Sequence, residues 1–134
     1  NVVKTKRYLI LGSATNPPTR LGMQNLIDFF SADNNLDYNI DVAGYQTETL
    51  NCRSVPNITY HGTVNQDALC ELLINTDGII INQPTTSGAL TRIVENRIAG
   101  IPIYANFGAA RDFYNLPDVF VYNSFDELKE LLNR

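Results

Sequence analysis

Small and polar residues of the kind that contact phosphates follow an apolar run in the second half of the chain. The run is Ile79-Ile80-Ile81, and the polar segment is Gln83-Pro84-Thr85-Thr86-Ser87-Gly88. If this segment leads from a strand into a helix, the free backbone N–H groups and the dipole of that helix would favour an anion. Gly88 would let a ligand approach the backbone closely. The same residues would also serve as an ordinary helix cap, and the segment alone leaves both interpretations open.

Two charged residues stand further along the same predicted helix. Glu95 follows Gly88 by seven residues and therefore lies on about the same helical face. Arg92 stands three residues before Glu95, a spacing at which two helical side chains can form an ion pair. An Arg and a Glu at this spacing most often form a solvated surface pair, which is the alternative to a ligand site.

The elements that must position these residues follow from the periodicity of the chain. Short apolar runs alternate with helical patterns, and Gly, Pro, Asn or Asp marks each switch. This alternation predicts an α/β fold, a doubly wound Rossmann-like parallel sheet of about six strands with helices on both faces. The predicted strands are 8–11, 38–43, 58–60, 78–82, 102–105 and 119–122. The predicted helices cover 20–30, a segment after Thr63 that carries Leu69, Leu72 and Leu73, then 87–98, and a final segment that begins at Ser124.

Local signals at the helix ends support these assignments. Thr63 and Gln66 match a capping box, and Ser124 with Glu127 predicts a cap for the last helix. Gly100 has the position of a glycine that ends a helix. Cys70 stands among the apolar residues of a helical pattern, which predicts a buried structural thiol.

In a doubly wound sheet, ligands bind outside the carboxyl ends of the strands, where the strand order reverses. Four segments of this chain are predicted to lie at such ends: 12–19, 61–63, 83–88 and 106–109. The chemistry is therefore expected at one edge of the sheet.

Length and composition limit the classes of function. The 134 residues and 15.0 kDa predict one domain over residues 1–134. The formal net charge is -4 and the basic residues are scattered, which argues against a nucleic-acid partner. No apolar run approaches the length of a transmembrane segment.

Cys52 and Cys70 fit neither a metal site nor a disulfide framework, which favours a reducing compartment such as the cytoplasm. The chain begins with Asn1 and not Met, which predicts a piece of a longer protein.

The segment from Gly88 to Ile103 resembles a signature of the C-terminal, donor-binding domain of GT-B glycosyltransferases, in the group 1 family. That signature has a glycine-rich loop, a basic residue three positions before a Glu, and then Ala-Gly-x-Pro, which here is Ala99-Gly100-Ile101-Pro102. The likeness extends over nearly the whole chain. Gly12-Ser13 with Pro17-Pro18, the segment 56–64 and Asn75-Thr76-Asp77-Gly78 resemble further parts of the same domain.

The resemblance implies a role for each candidate residue. Glu95 would accept hydrogen bonds from the ribose hydroxyls of a nucleotide-sugar donor. The diphosphate would lie against the backbone of Ser87, Gly88 and Ala89, with Thr86 as a further donor-binding residue and Arg92 or Arg20 supplying positive charge. The family branch that this chain resembles fixes no basic residue at the position of Arg20, and the alternative there is a solvated side chain in the first turn of a helix. The loop with Gly12 and Ser13 would border the same site.

The turn after the third predicted strand would border the base, which the backbone of Gly62 and Thr63 would contact. The side chain of His61 is expected to form hydrogen bonds with neighbouring residues instead. The resemblance implies no metal and no cofactor, since the nucleotide sugar is the substrate, and it places no catalytic residue in this chain.

The resemblance implies that this chain is one of the two domains of an enzyme. The chain would bind a UDP- or GDP-sugar for hexosyl transfer to an acceptor held by an N-terminal domain of the same protein, and it should not catalyse alone. Any peripheral contact with a membrane would come through that N-terminal half.

One departure from the family pattern supports an alternative. Many retaining members carry a Glu eight positions before the residue that corresponds to Glu95, and this chain has Ser87 there. A neutral hydroxyl cannot replace a carboxylate in responding to developing charge, so the stereochemical outcome stays open. The alternative is a catalytically inactive binding or regulatory module that retains the glycosyltransferase fold. An unrelated dinucleotide-binding domain is disfavoured, because the loop after the first strand lacks Gly-x-Gly-x-x-Gly.

Overall fold

The computed structural model describes residues 5–33, 36–82, 100–107 and 118–133. Its strands are β1 (Arg7–Leu11), β2 (Asn39–Ala43), β3 (Ile58–Gly62), β4 (Gly78–Ile81), β5 (Ile103–Asn106) and β6 (Val119–Tyr122). Its helices are α1 (Pro17–Ser31), α2 (Gln66–Asn75) and α3 (Phe125–Leu132), and a short 3-10 turn covers Thr47–Thr49. The helix predicted at 87–98 lies outside the described residues.

The strands form one parallel sheet in the order β3-β2-β1-β4-β5-β6. This confirms the predicted doubly wound, Rossmann-like fold. The chain builds outward from β1 to β3 and then returns to β4 on the other side of β1. The strand order therefore reverses between β1 and β4, and the carboxyl ends of these two strands mark the crevice where ligands bind in such sheets.

Helices cover both faces of the sheet, as the pattern predicted. On one face, strand residues such as Tyr8 and Ile40 pack against Leu26 and Phe30 of α1 and Leu128 of α3. On the other face, Leu72 and Leu73 of α2 pack against a second apolar cluster. That cluster consists of Leu9, Ala43, Ile79, Ile81, Ile103, Ala105 and Val119. The central strand β4 is buried at every position because it lies between these two layers.

The helix ends correct two of the sequence predictions. Thr63 does not cap α2: the N-cap is Asn65, whose side chain accepts a hydrogen bond from the backbone N–H of Ala68 at 2.8 Å. Cys70 is exposed and not buried, because α2 turns Leu72 and Leu73 to the sheet and its neighbouring face to solvent. The cap of α3 is confirmed, since the hydroxyl of Ser124 accepts from the N–H of Glu127 at 3.1 Å.

The first helix begins earlier than its apolar pattern indicated. Pro17 and Pro18 occupy the first positions of α1, where their fixed φ angle suits a helix and no N–H is lost from the hydrogen-bond ladder. The loop after β1 is therefore shorter than predicted. Gly100 has a φ of +76°, as expected of a glycine that follows a helix, although the helix it would end lies outside the described residues.

Buried tyrosines connect the layers by hydrogen bonds through the core. The Tyr122 hydroxyl donates to the carbonyl of Ile81 at 2.7 Å, and the Tyr8 hydroxyl donates to the carbonyl of Leu132 at 2.9 Å. The Tyr38 hydroxyl is also buried but finds no hydrogen-bond partner within the described part of the chain. Burial and the nearby carboxylates of Asp33 and Asp37 raise the pKa of Tyr38 to about 12.

This contrast predicts different effects for two similar substitutions. Tyr122→Phe should lower the free energy of unfolding by about 1–2 kcal/mol, because the buried carbonyl of Ile81 loses this donor. Tyr38→Phe should leave that free energy unchanged within about 0.5 kcal/mol or raise it, because its hydroxyl is buried with no hydrogen-bond partner among the residues that the structure describes. Urea unfolding of the two variants beside the native chain measures both effects. Equal losses in the two variants would contradict the hydrogen-bond assignment.

Candidate functional site

The loops after β1, β2 and β3 form one continuous layer at the carboxyl edge of the sheet. The N–H of Gly12 donates to the carbonyl of Ala43 at 3.3 Å, and the N–H of Ala14 donates to the carbonyl of Tyr45 at 2.9 Å. The N–H of Gly44 donates to the carbonyl of Gly62 at 3.1 Å. Because these bonds continue the pairing beyond the strand ends, the three loops are held together as one surface.

Glycines allow the first two of these loops to approach each other. Gly44 has a φ of +137°, and a Cβ atom there would lie 1.8 Å from the carbonyl oxygen of Gly12. At Gly12 itself, a Cβ atom would lie 2.7 Å from Cγ2 of Thr19 in α1. Neither position has room for a side chain, so backbone atoms of Gly12 and Gly44 form the surface at this edge of the sheet.

The N-terminus of α1, beside this surface, is poorly suited to bind a phosphate. Pro17 and Pro18 have no N–H, and the side chain of the N-cap residue Asn16 makes no capping hydrogen bond. Ser13 lies in the loop after β1, and its hydroxyl is 2.8 Å from that of Thr15. The helix that the sequence assigns to the diphosphate is a different one, at residues 87–98.

Arg20 connects the first loop to the segment after β2. Its Nη1 and Nη2 atoms donate to the hydroxyl and the carbonyl of Thr49, each at 2.7 Å, and Nη1 also lies 3.4 Å from the carbonyl of Ala14. All three acceptors are neutral. The guanidinium group is therefore held at the carboxyl edge by these contacts.

Glu48 holds the turn that follows β3. Its Oε1 atom accepts from the backbone N–H and from the hydroxyl of Thr63, both at 3.0 Å. The Thr63 hydroxyl also lies 2.8 Å from the N–H of Gln46, which has a left-handed φ of +58°. Hydrogen bonds from the Glu48 backbone and from Thr63 hold the pKa of the Glu48 carboxyl below its usual value. The carboxylate is thus ionised at neutral pH.

The predicted site residues divide into two groups. Five of them lie at the carboxyl edge, in the loop after β1, in the first turns of α1 and in the turn at the end of β3: Gly12, Ser13, Arg20, Gly62 and Thr63. The remaining six lie outside the described residues: Thr86, Ser87, Gly88, Ala89, Arg92 and Glu95.

Sequence reasoning missed the segment after β2, which contributes Tyr45, Gln46, Glu48 and Thr49 to the same edge. Its 3-10 turn is too short to show a helical period. The signal that could have found it is the rule for carboxyl ends, which applies to the end of predicted strand 38–43 as much as to the others.

A second polar cluster lies away from this edge, on the face of the sheet that α2 covers. The buried carboxylate of Asp41 accepts from Nη1 of Arg7 at 2.8 Å and lies 2.9 Å from Nε2 of His61. His61 is therefore satisfied by a neighbour, as expected from the sequence. A cavity of about 360 Å³ beside this cluster is also lined by Leu72 and Asn75.

The described part of the chain holds no group of three His, Cys, Asp or Glu side chains arranged to bind a metal ion. None of the helices described in it is long and apolar enough to cross a membrane.

The turn at Gly62 predicts a measurable effect of substitution. Gly62→Ala should destabilise the fold by about 1–2 kcal/mol, because Gly62 has a φ of +67°. Its Cβ atom would also lie 3.3 Å from Oε1 of Glu48, so the carboxylate should shift and release the N–H of Thr63. Hydrogen exchange of the Thr63 amide, followed by NMR, should therefore accelerate.

Gly100→Ala is the matched control for this substitution. Gly100 also has a positive φ, of +76°, but a Cβ atom there meets nothing within 4 Å among the described residues. The control should show a similar loss of stability with unchanged exchange at Thr63. Unchanged exchange of that amide in Gly62→Ala as well would mean that Glu48 does not hold the turn.

Comparison with known proteins supports the fold. No protein-family model matches the chain, and no curated protein is significantly similar to it in sequence. Among solved structures, it is similar to TarM, with a TM-score of 0.62 and 12% identity, over 96% of this chain and 27% of that one. It is also similar to WaaG, a glycosyltransferase involved in lipopolysaccharide biosynthesis, with a TM-score of 0.60 and 22% identity, over 96% of this chain and 37% of that one.

The chain thus spans 27% and 37% of the lengths of these two structures. At these identities the likeness concerns the fold. It confirms at that level the resemblance drawn from the sequence: the chain has the Rossmann-like fold of a glycosyltransferase domain.

Proposed function

We propose that this chain is the donor-binding domain of a glycosyltransferase and that it binds a nucleotide diphosphate sugar, with UDP or GDP as the nucleotide. The observation that carries the proposal is the meeting of Gly12, Ser13, Arg20, Gly62 and Thr63 at one edge of the sheet. The sequence assigned these residues to one ligand although Gly12 and Thr63 are about fifty positions apart. The edge includes the carboxyl end of β1, next to the point where the strand order reverses.

The charge at this edge suits a nucleotide diphosphate. Arg20 supplies a positive charge that is held by neutral groups of Thr49 and Ala14. The sequence assigns the diphosphate to the backbone of residues 87–89, with Arg92 nearby, and the ribose hydroxyls to Glu95. A helix N-terminus and arginine side chains can neutralise a leaving diphosphate without a metal ion.

Transfer of the sugar would need a second domain. The chain spans 27% and 37% of the two structures to which it is similar, one of which is a glycosyltransferase. In the proposed enzyme, an N-terminal domain of the same protein holds the acceptor and closes the cleft over the donor. The chain alone should therefore bind the donor and transfer no hexosyl group.

Calorimetric titration of the chain with GDP and with UDP tests the proposal. At least one of these nucleotides should bind, and Glu95→Gln should weaken that binding about tenfold or more, because the ribose hydroxyls lose a charged acceptor. Glu71→Gln removes one carboxylate from the exposed side of α2 and serves as the control of equal charge, with unchanged affinity.

Two results would contradict the proposal. The first is no binding of either nucleotide at millimolar concentration, which would favour the alternative of a module that kept the fold and lost the donor site. The second is binding that Glu95→Gln and Glu71→Gln affect equally.

A further inference from the structure

The side chain of Glu48 lies directly over the turn to which the proposed function assigns the base. Its Oε1 atom is 3.0 Å from both the N–H and the hydroxyl of Thr63. A Cβ atom at Gly62 would lie 3.3 Å from the same oxygen and 3.4 Å from Cβ of Glu48. Because Gly62 has no side chain, the Glu48 carboxylate can approach this turn closely. The backbone N–H of Thr63 already donates to Glu48, so a base bound at the turn would contact the Glu48 carboxylate and not that N–H.

The carboxylate keeps capacity to accept further hydrogen bonds. An ionised carboxylate has about four acceptor positions on its two oxygens. Within the described residues, the N–H and the hydroxyl of Thr63 contact Oε1, the same hydroxyl lies 3.3 Å from Oε2, and the backbone of Glu48 also donates to the carboxyl group. Glu48 is exposed to solvent. Among the described residues, these three donors leave about one acceptor position for a donor of a ligand at the carboxyl edge.

The remaining acceptor capacity of Glu48 distinguishes the two candidate bases by the groups on their edges. Guanine presents two adjacent donors, N1–H and the 2-amino group, which can both point at one carboxylate oxygen such as Oε2. Uracil presents one N–H between two carbonyl oxygens, and those oxygens would face the negative charge without a donor. Such a mismatch is the usual source of discrimination between bases, because an unpaired acceptor at the contact costs binding energy.

The same loop also offers a surface for stacking. Tyr45 stands three positions before Glu48 and is 55% exposed, although tyrosine rings are usually more buried. The faces of aromatic rings bind nucleobases by stacking, without regard to which base it is. Tyr45 therefore supports a base at this edge, whereas Glu48 supplies the selection.

From these contacts we infer that Glu48 reads the base of the donor and that the donor is a guanosine diphosphate sugar. The inference rests on the proposed function, since it requires a nucleotide at this edge. It extends that function by naming the class of nucleotide and the residue that selects it.

Titrations with GDP, UDP and inosine diphosphate test the inference, because inosine lacks the 2-amino group of guanosine. The native chain should bind GDP about tenfold or more tightly than UDP, and inosine diphosphate should bind with intermediate affinity. Glu48→Gln should weaken GDP binding about tenfold, because the charge and one acceptor are lost, and should change UDP binding by less than about twofold. Glu71→Gln should change neither.

Glu48→Gln retains a carbonyl oxygen that can accept from Thr63, so the turn should persist. Thermal unfolding of the variant checks this.

Three results would overturn the inference, and they separate it from the proposed function. UDP binding as tight as GDP binding or tighter would overturn the selection of guanine and leave the proposed function in place. An equal loss of GDP and UDP affinity in Glu48→Gln would mean that Glu48 positions the turn and does not read the base. No binding of any nucleotide would overturn the proposed function as well.

Discussion

Gly44 approaches the backbone of Gly12 so closely that no other residue could stand in its place, and the carboxyl edge of the sheet depends on this contact. A Cβ atom at Gly44 would lie 1.8 Å from the Gly12 carbonyl oxygen. Because the two loops touch through bare backbone, Ala14 can pair with Tyr45, and Gly44 can pair with Gly62 in turn. Arg20 and Glu48 then fasten the outer parts of these loops. The surface proposed to bind a nucleotide is therefore a consequence of two glycines at the ends of neighbouring parallel strands.

The charged residues of the chain serve two distinct purposes. Asp41 lies on a buried strand, and its carboxylate is stabilised by Arg7 and His61, so this cluster satisfies its own charges under α2. A buried carboxylate without such partners would strongly destabilise the fold. At the carboxyl edge the arrangement differs, because Arg20 and Glu48 contact neutral backbone and hydroxyl groups. Among the described residues, these contacts hold the two charged groups in place at the edge where the ligand is proposed to bind.

The sequence predicted the sheet well because its signal is local and repeated. An apolar run such as Ile79-Ile80-Ile81 must be buried on both faces, and the parallel order follows from the alternation of strands with helices.

Predictions that depended on a single residue were less successful. Thr63 has the right type and spacing to cap α2, but Glu48 binds it, and a contact between residues fifteen positions apart leaves no periodic trace. The same reason explains why the segment after β2 was missed. The site residues predicted in the first and third loops came from a family resemblance, which fixed their order along the chain.

Amide chemical shifts of the isotopically labelled chain during titration with GDP test whether a nucleotide diphosphate binds at the carboxyl edge of this sheet. The largest shifts should fall on the amides of Ser13, Gly62 and Thr63. Residues at the opposite edge, such as Lys6 and Asp77, should change little. Shifts concentrated at that opposite edge, or around the Asp41 cluster under α2, would contradict binding at the carboxyl edge.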